Sequence, residues 1–255
     1  MDAARPLFVP VILGTSRRGR RSEQVARLLL REVGARPAVE TALVDVAALE
    51  LPFDDAGEAL KDDAFAELMN RADAIVIVAP EYHHGYPGPL KQALDTNLKE
   101  YIHKAAGVVG VSAGATGGNR VIQNLLPVLR ELGLVTIFWD VQVTSVARRF
   151  DDQGELVDDE YLPRIAKFLD ELLWMADTLR RGREQVVGPR NDGIEPPVLC
   201  DACGVPANHQ ADKLVLAAPD DDAPEPTPGF DGAIERVFAC PVCGRIVSRT
   251  GGASA

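Results

Sequence analysis

Cysteine is missing from the first 199 residues; all four lie between positions 200 and 243, which sets the C-terminal stretch apart as a module of its own. Basic residues are in the minority, 27 Lys and Arg against 38 Asp and Glu, for a formal net charge of −11. A chain of that sign offers no electrostatic footprint to nucleic acid or to an anionic membrane surface. It also repels an anionic cofactor at long range, so any phosphate site must be locally basic. No apolar run approaches the roughly 18 residues needed to span a bilayer. The apolar segment Leu7–Leu13 is short, contains Pro10 and lacks a small-residue cleavage site after it, so it does not read as a signal peptide. A cytoplasmic protein with no nucleic-acid or membrane partner is the expectation. Gly-x-Gly-x-x-Gly and the P-loop lysine pattern are absent as well, which excludes a dinucleotide fingerprint and a Walker loop.

Apolar residues, by contrast, make up 46% of the 255 positions, enough for one α/β domain plus an appendage. Leu7–Leu13 reads as a first strand, although Pro10 removes a ladder donor from it. Val39–Val46, Ala74–Val78 and Ala105–Val111 read as the second, third and fourth. Leu134–Phe138 opens a fifth that runs on towards Val146. Helical spacing links Val25, Leu28, Leu29 and Val33, then Leu60–Arg71, then the residues from Leu90 to about Leu98. It returns over Val121, Leu125, Val128, Leu129 and Leu132, where Pro127 predicts a kink, and over Tyr161, Ile165, Phe168, Leu169, Leu172, Ala176 and Leu179, a core stripe. Leu49–Asp55 reads as a loop with Asp54 and Asp55 as solvated turn residues. The βαβ alternation predicts a doubly wound parallel sheet, and in such sheets ligands gather outside the carboxyl ends of the strands.

Three strand-end loops stand out. Gly14-Thr15-Ser16-Arg17-Arg18-Gly19-Arg20-Arg21-Ser22 opens a helix with Ser22 as its expected N-cap and packs four arginines into five positions. Backbone N–H groups, the positive end of the helix dipole and those arginines together read as a phosphate cradle. Arg20 and Arg21 are alternatively available to a nicotinamide cofactor's extra phosphate or to a partner subunit. The second loop, Pro80-Glu81-Tyr82-His83-His84-Gly85-Tyr86-Pro87-Gly88, is aromatic and rigid, suited to a flat ring. The third, Ser112–Asn119, is built of small residues that let backbone lie close against a ring.

Pro80-Glu81-Tyr82, followed by Pro87-Gly88-Pro89-Leu90-Lys91-Gln92-Ala93-Leu94-Asp95, resembles the signature of the NADPH-dependent FMN reductase family of flavodoxin-like proteins. That signature reads Pro-Glu-Tyr-Asn, then Pro-Gly-x-Leu-Lys-Asn-Ala-x-Asp; His83 departs from it. Gly14–Ser22 is similar to the family's phosphate loop, Gly-Ser-x-Arg-x-Gly-x-x-Ser. The resemblance covers about residues 7 to 180 and implies a flavodoxin-like five-stranded sheet in the order 2-1-3-4-5, within a domain set at 1–185. It implies FMN as cofactor, NADPH or NADH as co-substrate, and a homodimer or homotetramer. By the same match Thr15, Arg17 and Ser22 hold the phosphate with Ser16 close by. Pro80, Glu81, Tyr82, His83, His84 and Gly85 meet the ring edge, chiefly through backbone N–H groups from Glu81 to Gly85. Ser112, Gly114 and Gly117 form the turn beside the flavin. The implied activity is hydride transfer from nicotinamide to flavin and then to free flavin, quinone, azo dye or metal oxyanion. No protein acid or base is expected to be essential; His83 and His84 are either proton donors or ordinary loop residues. Two other readings are a flavin-binding electron carrier or redox sensor, and a scaffold that has lost flavin with His83 as the symptom. The intact phosphate loop argues against the last.

Residues 186–198 read as a linker, and 199–255 as a metal-binding module. Cys200-Asp201-Ala202-Cys203-Gly204 and Cys240-Pro241-Val242-Cys243-Gly244 are two Cys-x-x-Cys knuckles, each able to aim two thiolates at one tetrahedral ion. A glycine after each second cysteine relieves the tight turn. The acidic, proline-rich insertion at 217–229 is predicted to be mobile. Short strands are expected at 213–216, 234–239 and 245–248, so the module is a small β-rich piece. It resembles both a zinc ribbon and a rubredoxin. With only Phe230 and Phe238 as aromatics, zinc is favoured over iron. Disulfides are the rival reading, disfavoured in a reducing compartment. A zinc module would be structural or a docking piece; an iron module would relay single electrons beside a flavin.

Overall fold

The uninterrupted apolar runs at the third and fourth strand positions are buried along their whole length, and strands buried on both faces require helices on both faces. The computed structural model describes residues 5–51, 62–185, 198–216 and 232–251. The turn at Asp54 and Asp55, the linker 186–197 and the insertion 217–229 lie outside the described residues. The chain divides into two compact units, residues 1–180 and 181–255.

In the first unit the elements run β1 (Leu7–Phe8), β2 (Val11–Leu13), α1 (Ser22–Gly34), β3 (Val39–Glu40), β4 (Leu43–Asp45), α2 (Asp63–Arg71), β5 (Ala74–Pro80), α3 (Gly88–Asp95) and β6 (Ala105–Val111). There follow α4 (Asn119–Glu131), β7 (Val135–Thr136), β8 (Val141–Val143) and α5 (Tyr161–Gln185). The sheet order is β4-β2-β5-β6-β7, with β8 also on β6, and every pairing is parallel. Counting β1 with β2, β3 with β4 and β7 with β8, this is the flavodoxin-like order 2-1-3-4-5.

Three strands differ from the sequence reading; the second is parted at Thr41–Ala42. The first is parted at Val9–Pro10, but the loss is local. The Val9 and Val11 N–H groups still donate to the Glu40 and Ala42 carbonyls (2.8 Å each), and the Pro10 carbonyl accepts from Val76 (3.0 Å). N–H groups alternate along a strand, so the donor missing at Pro10 is one that would face β5. The fifth strand is broken rather than continuous. After Ile137, whose N–H still donates to Ala106 (3.0 Å), Phe138–Asp140 leaves the ladder, with Phe138 74% and Trp139 39% exposed, and pairing resumes at Val141 against Val109. Helix α4 runs on through Pro127.

Helices α1 and α5 cover one face, where Val25, Leu29, Ile165, Phe168 and Leu172 pack with Val11, Val76, Val78 and Val109. Helices α2 to α4 cover the other, where Phe65, Met69, Leu90, Leu94 and Leu125 pack with Ile12, Ile75, Ile77 and Val108. Each such side chain contributes about 1.5–3 kcal/mol of burial. Gly107 is a fitted position in β6: a Cβ there would stand 2.4 Å from the Phe168 ring. Buried charges gather at the amino ends of the strands. Asp73 takes Arg5 (2.8 and 2.9 Å) and the Phe8 N–H (3.1 Å), and Lys104 Nζ donates to the Met69 and Asn70 carbonyls at the end of α2 (2.6 Å each). The carboxyl ends carry the loops singled out above. No helix of the described residues is long and apolar enough to cross a membrane.

The second unit contains β9 (Asn208–Leu216), β10 (Gly232–Ala239) and β11 (Ile246–Gly251), an antiparallel sheet in the order β11-β10-β9. Its strands outrun the expected ones, because cross-strand pairing carries polar residues such as Asn208 and His209 into the ladder opposite Ala239 and Phe238.

Candidate active site

The loop after β2 is held down from several sides. Thr15 is buried, 1% exposed; its hydroxyl accepts from the Arg17 N–H (3.3 Å) and shares a hydrogen bond with the Tyr82 hydroxyl (3.1 Å). Arg20 reaches back to the Thr15 carbonyl (2.5 Å) and is ion-paired with Asp45 at the end of β4 and with Glu23 (3.5 Å). Arg20 is therefore a strut of the loop, which corrects the expectation that it faces a ligand phosphate. Thr15 likewise braces the loop through its hydroxyl's bonds. Ser16, Arg17, Arg18 and Arg21 are exposed, and the Arg17 guanidinium lies over the Tyr82 ring, 5.7 Å from its centre. Helix α1 starts at Ser22 with Arg21 at the N-cap, so Ser22 is not the cap. Its hydroxyl, 3% exposed as a residue, is a buried oxygen with no hydrogen-bond partner among the described residues. A partnerless hydroxyl at a helix N-terminus, beside exposed arginines, is a position from which an oxyanion can be bound.

The aromatic loop is a two-residue hairpin. The Tyr82 N–H donates to the Gly85 carbonyl (3.0 Å) and the Gly85 N–H to the Tyr82 carbonyl (2.9 Å), while the Glu81 N–H is taken by Val111 (2.8 Å). His83 and His84 occupy the two central positions with φ of +50° and +70°. That is the left-handed geometry in which Asn and Gly are usual and histidine is tolerated. The expectation that backbone N–H groups from Glu81 to Gly85 all face a ring is thus corrected: among them only those of His83 and His84 make no bond within the described residues. Pro80 ends β5, and Glu81, 10% exposed at its side chain, receives the Arg120 backbone N–H (3.2 Å) and sits 3.4 Å from His84 Nδ1. Asn124 donates to the His84 carbonyl (2.6 Å), and Arg120 Nη1 lies 2.7 Å from His84 Nε2.

The third loop is braced internally. Ser112 Oγ donates to the Gly114 carbonyl and accepts the Gly117 N–H (2.9 Å each), and Gly117 is buried. Ser112 and Gly117 shape the turn, which leaves Ala113, Gly114, Ala115 and Thr116 as its exposed rim. Thr15–Tyr82, Glu81–Val111 and His84–Arg120 contacts bring the three loops together at the carboxyl ends of β2, β5 and β6, the place where a doubly wound sheet binds its ligand.

Residues 9–145 match the NADPH-dependent FMN reductase family. The chain belongs to that family. It is an NAD(P)H-dependent flavin oxidoreductase whose flavin is FMN. A quinone reductase of Pseudomonas putida is 29% identical over 174 residues, spanning 64% of this chain and 91% of that protein. An NAD(P)H-dependent FMN reductase of Pseudomonas aeruginosa is 30% identical over 148 residues, spanning 54% of this chain and 80% of that one. Among solved structures, the flavoenzyme NAD(P)H:acceptor oxidoreductase FerB of Paracoccus denitrificans superposes with a TM-score of 0.58 at 22% identity, covering 68% of this chain and 98% of its own; it supports the fold.

One residue beside the His83–His84 turn escaped the sequence reading. Arg120 stands in the first turn of α4, where a cation opposes the helix dipole. That misplaced charge, directly after the glycine-rich loop, was the available signal.

In the second unit the two knuckles are built alike. The Cys200 N–H donates to the Val205 carbonyl and the Cys240 N–H to Arg245, while the Gly204 and Gly244 N–H groups return to Cys200 and Cys240 (2.8–2.9 Å). Both glycines are left-handed, with φ of +66° and +73°. All four Sγ atoms lie within 4.8 Å of one another, and Cys200 and Cys243 are 3.7 Å apart, well beyond a disulfide. Burial opposes ionisation of Cys200, but the Cys203 and Ala202 N–H groups outweigh it and bring the thiol down to about 7. Hydrogen bonding to Cys243, and then burial, push Cys203 up to about 12.

Proposed function

We propose that this reductase holds FMN across its three strand-end loops and passes electrons from NADPH or NADH to a quinone or a similar small acceptor. Ser16, Arg17 and Ser22 would take the phosphate. The His83 and His84 N–H groups and Tyr82 would meet the ring, with the Gly114 rim opposite. Thr15, Glu81, Ser112 and Gly117 keep these groups in place, and Pro80 and Gly85 bound the turn. Bound FMN supplies two-electron transfer between nicotinamide and acceptor; the protein's part is to bind, orient and shield. The observation that carries the reading is the Ser22 hydroxyl, buried and partnerless at the head of α1 among exposed arginines. The quinone acceptor rests on relatives named quinone reductases from Pseudomonas putida.

The four cysteines suit zinc. A tetrahedral thiolate site with bonds of about 2.3 Å has sulfur–sulfur edges of about 3.8 Å. The aromatic surroundings expected of a rubredoxin-type iron are thin, Phe238 meeting only His209 edge-on (5.4 Å) among the described residues. A structural zinc module, a cytoplasmic location that keeps its thiols reduced, and a homodimer or homotetramer complete the proposal.

The test is the visible spectrum of the purified protein, then NADPH without oxygen. Flavin bands that bleach are expected; a colourless protein that does not take up FMN overturns the reading. Ser22→Ala is expected to weaken FMN retention about tenfold, the loss of one hydrogen bond to a charged group, without lowering the stability of the flavin-free protein.

A further inference from the structure

Arginines of the reductase unit are mostly paired, as suits a chain of net charge −11: Arg5 with Asp73, Arg20 with Asp45, Arg31 with Glu155, Arg36 with Asp170, Arg149 with Asp158. Arg120 differs. Among the described residues no carboxylate forms an ion pair with its guanidinium. Its Nη1 is engaged by the His84 ring, and among the described residues no hydrogen bond engages Nε or Nη2. Glu81 is adjacent, yet it takes the Arg120 backbone N–H and approaches His84 Nδ1. The charge also opposes the dipole of α4. A guanidinium kept in an unfavourable field, with one edge of its fork open, is suited to two oxygens that share a negative charge. It stands at the His84 end of the ring-binding turn, whereas Arg17, assigned to the phosphate loop, stands at the Tyr82 end.

We infer that Arg120 selects the electron acceptor. Its open edge binds acceptors that carry an ionised oxygen next to a carbonyl of the reducible group, such as an ionised hydroxyquinone, in preference to neutral quinones. The inference rests on the quinone reading above and goes beyond it by assigning the class of quinone.

The experiment uses flavin-loaded full-length protein. The flavin is reduced with NADPH without oxygen, and reoxidation is followed by stopped flow with either 2-hydroxy-1,4-naphthoquinone or unsubstituted 1,4-naphthoquinone. Wild type is compared with Arg120→Gln, Arg120→Lys and, as a control on the exposed side of α4, Arg130→Gln. The ratio of rate constants, hydroxyquinone over neutral quinone, is expected to fall about tenfold in Arg120→Gln. Arg120→Lys should recover part of that ratio, and Arg130→Gln should leave it unchanged. An equal loss with both acceptors, or no loss with either, overturns the inference. So does an unchanged ratio with slower reduction by NADPH, which would assign Arg120 to the phosphates of the nicotinamide cofactor. A wild-type flavoprotein that NADPH reduces but neither quinone reoxidises sinks the acceptor reading, and acceptor selection with it. That outcome is seen before any variant is made, so the two failures are distinct.

Discussion

In the reductase unit Phe168 lies against Gly107 of a fully buried strand, inside one of two layers of Val, Ile, Leu and Phe side chains. In the four-cysteine unit the buried apolar side chains among the described residues are small, Val198, Ala207, Val237 and Ala239, beside Cys200 and Cys240 themselves. Burial yields roughly 25 cal/mol per Å² of apolar surface, so the first unit has a core able to offset its chain entropy, and the described residues of the second bury far less. Units of that second kind are usually completed by a metal or disulfides, and the four separated sulfurs, clustered within 4.8 Å, are the reason zinc is proposed above. The contrast carries a functional consequence. Geometry at the flavin end is set by a rigid sheet, whereas under the zinc proposal the geometry of the cysteine unit would depend on what its thiolates bind.

Metal removal should separate the units most sharply, since a structural zinc contributes about 10–16 kcal/mol to its domain. Chelation, or Cys240→Ser with Cys243→Ser, is expected to abolish hydrogen-exchange protection in β9 to β11 while the flavin spectrum persists. Protection that survives would show that the sheet stands without metal. Phe168→Ala strikes the other side of the comparison. The cavity above Gly107 should cost about 3–5 kcal/mol, read as a lower urea midpoint for flavin release with metal content unchanged. An unchanged midpoint would mean that this layer is not what holds the sheet.

The smallest effect concerns pH. Burial raises the Asp140 carboxyl, in the gap between β7 and β8, from 3.8 up to about 6. The folded state therefore binds this proton more tightly than the unfolded chain. The stability it confers is fully present below about pH 4 and is lost as pH rises through about 6. Asp140→Asn should accordingly stabilise the reductase unit at pH 7.5 and have little effect at pH 4, in thermal melts at the two values. Equal effects at both would show that the carboxyl is solvated.

The fold was legible because its signals are local. Five apolar strand positions, helical spacing between them and the Pro80–Asp95 signature suffice for the sheet and its ligand-binding end. Paired Cys-x-x-Cys steps likewise announce the cysteine cluster. Legibility failed where a side chain's task is set by a partner far along the chain. Arg20 looked like a ligand for phosphate until Asp45 claimed it, 25 residues on. The N–H groups of Glu81, Tyr82 and Gly85 looked available until Val111 and the hairpin itself took them.

By itself, then, the sequence determined the parallel sheet, the place of the site and the separate cysteine module, because burial periodicity and turn chemistry act over a few residues. Only the tertiary structure decided which polar groups keep unpartnered atoms among the described residues. Ser22 and Arg120 do, whereas Thr15, Arg20 and Ser112 are engaged within the loops, because hydrogen-bond satisfaction depends on which distant donors and acceptors the fold brings within about 3 Å.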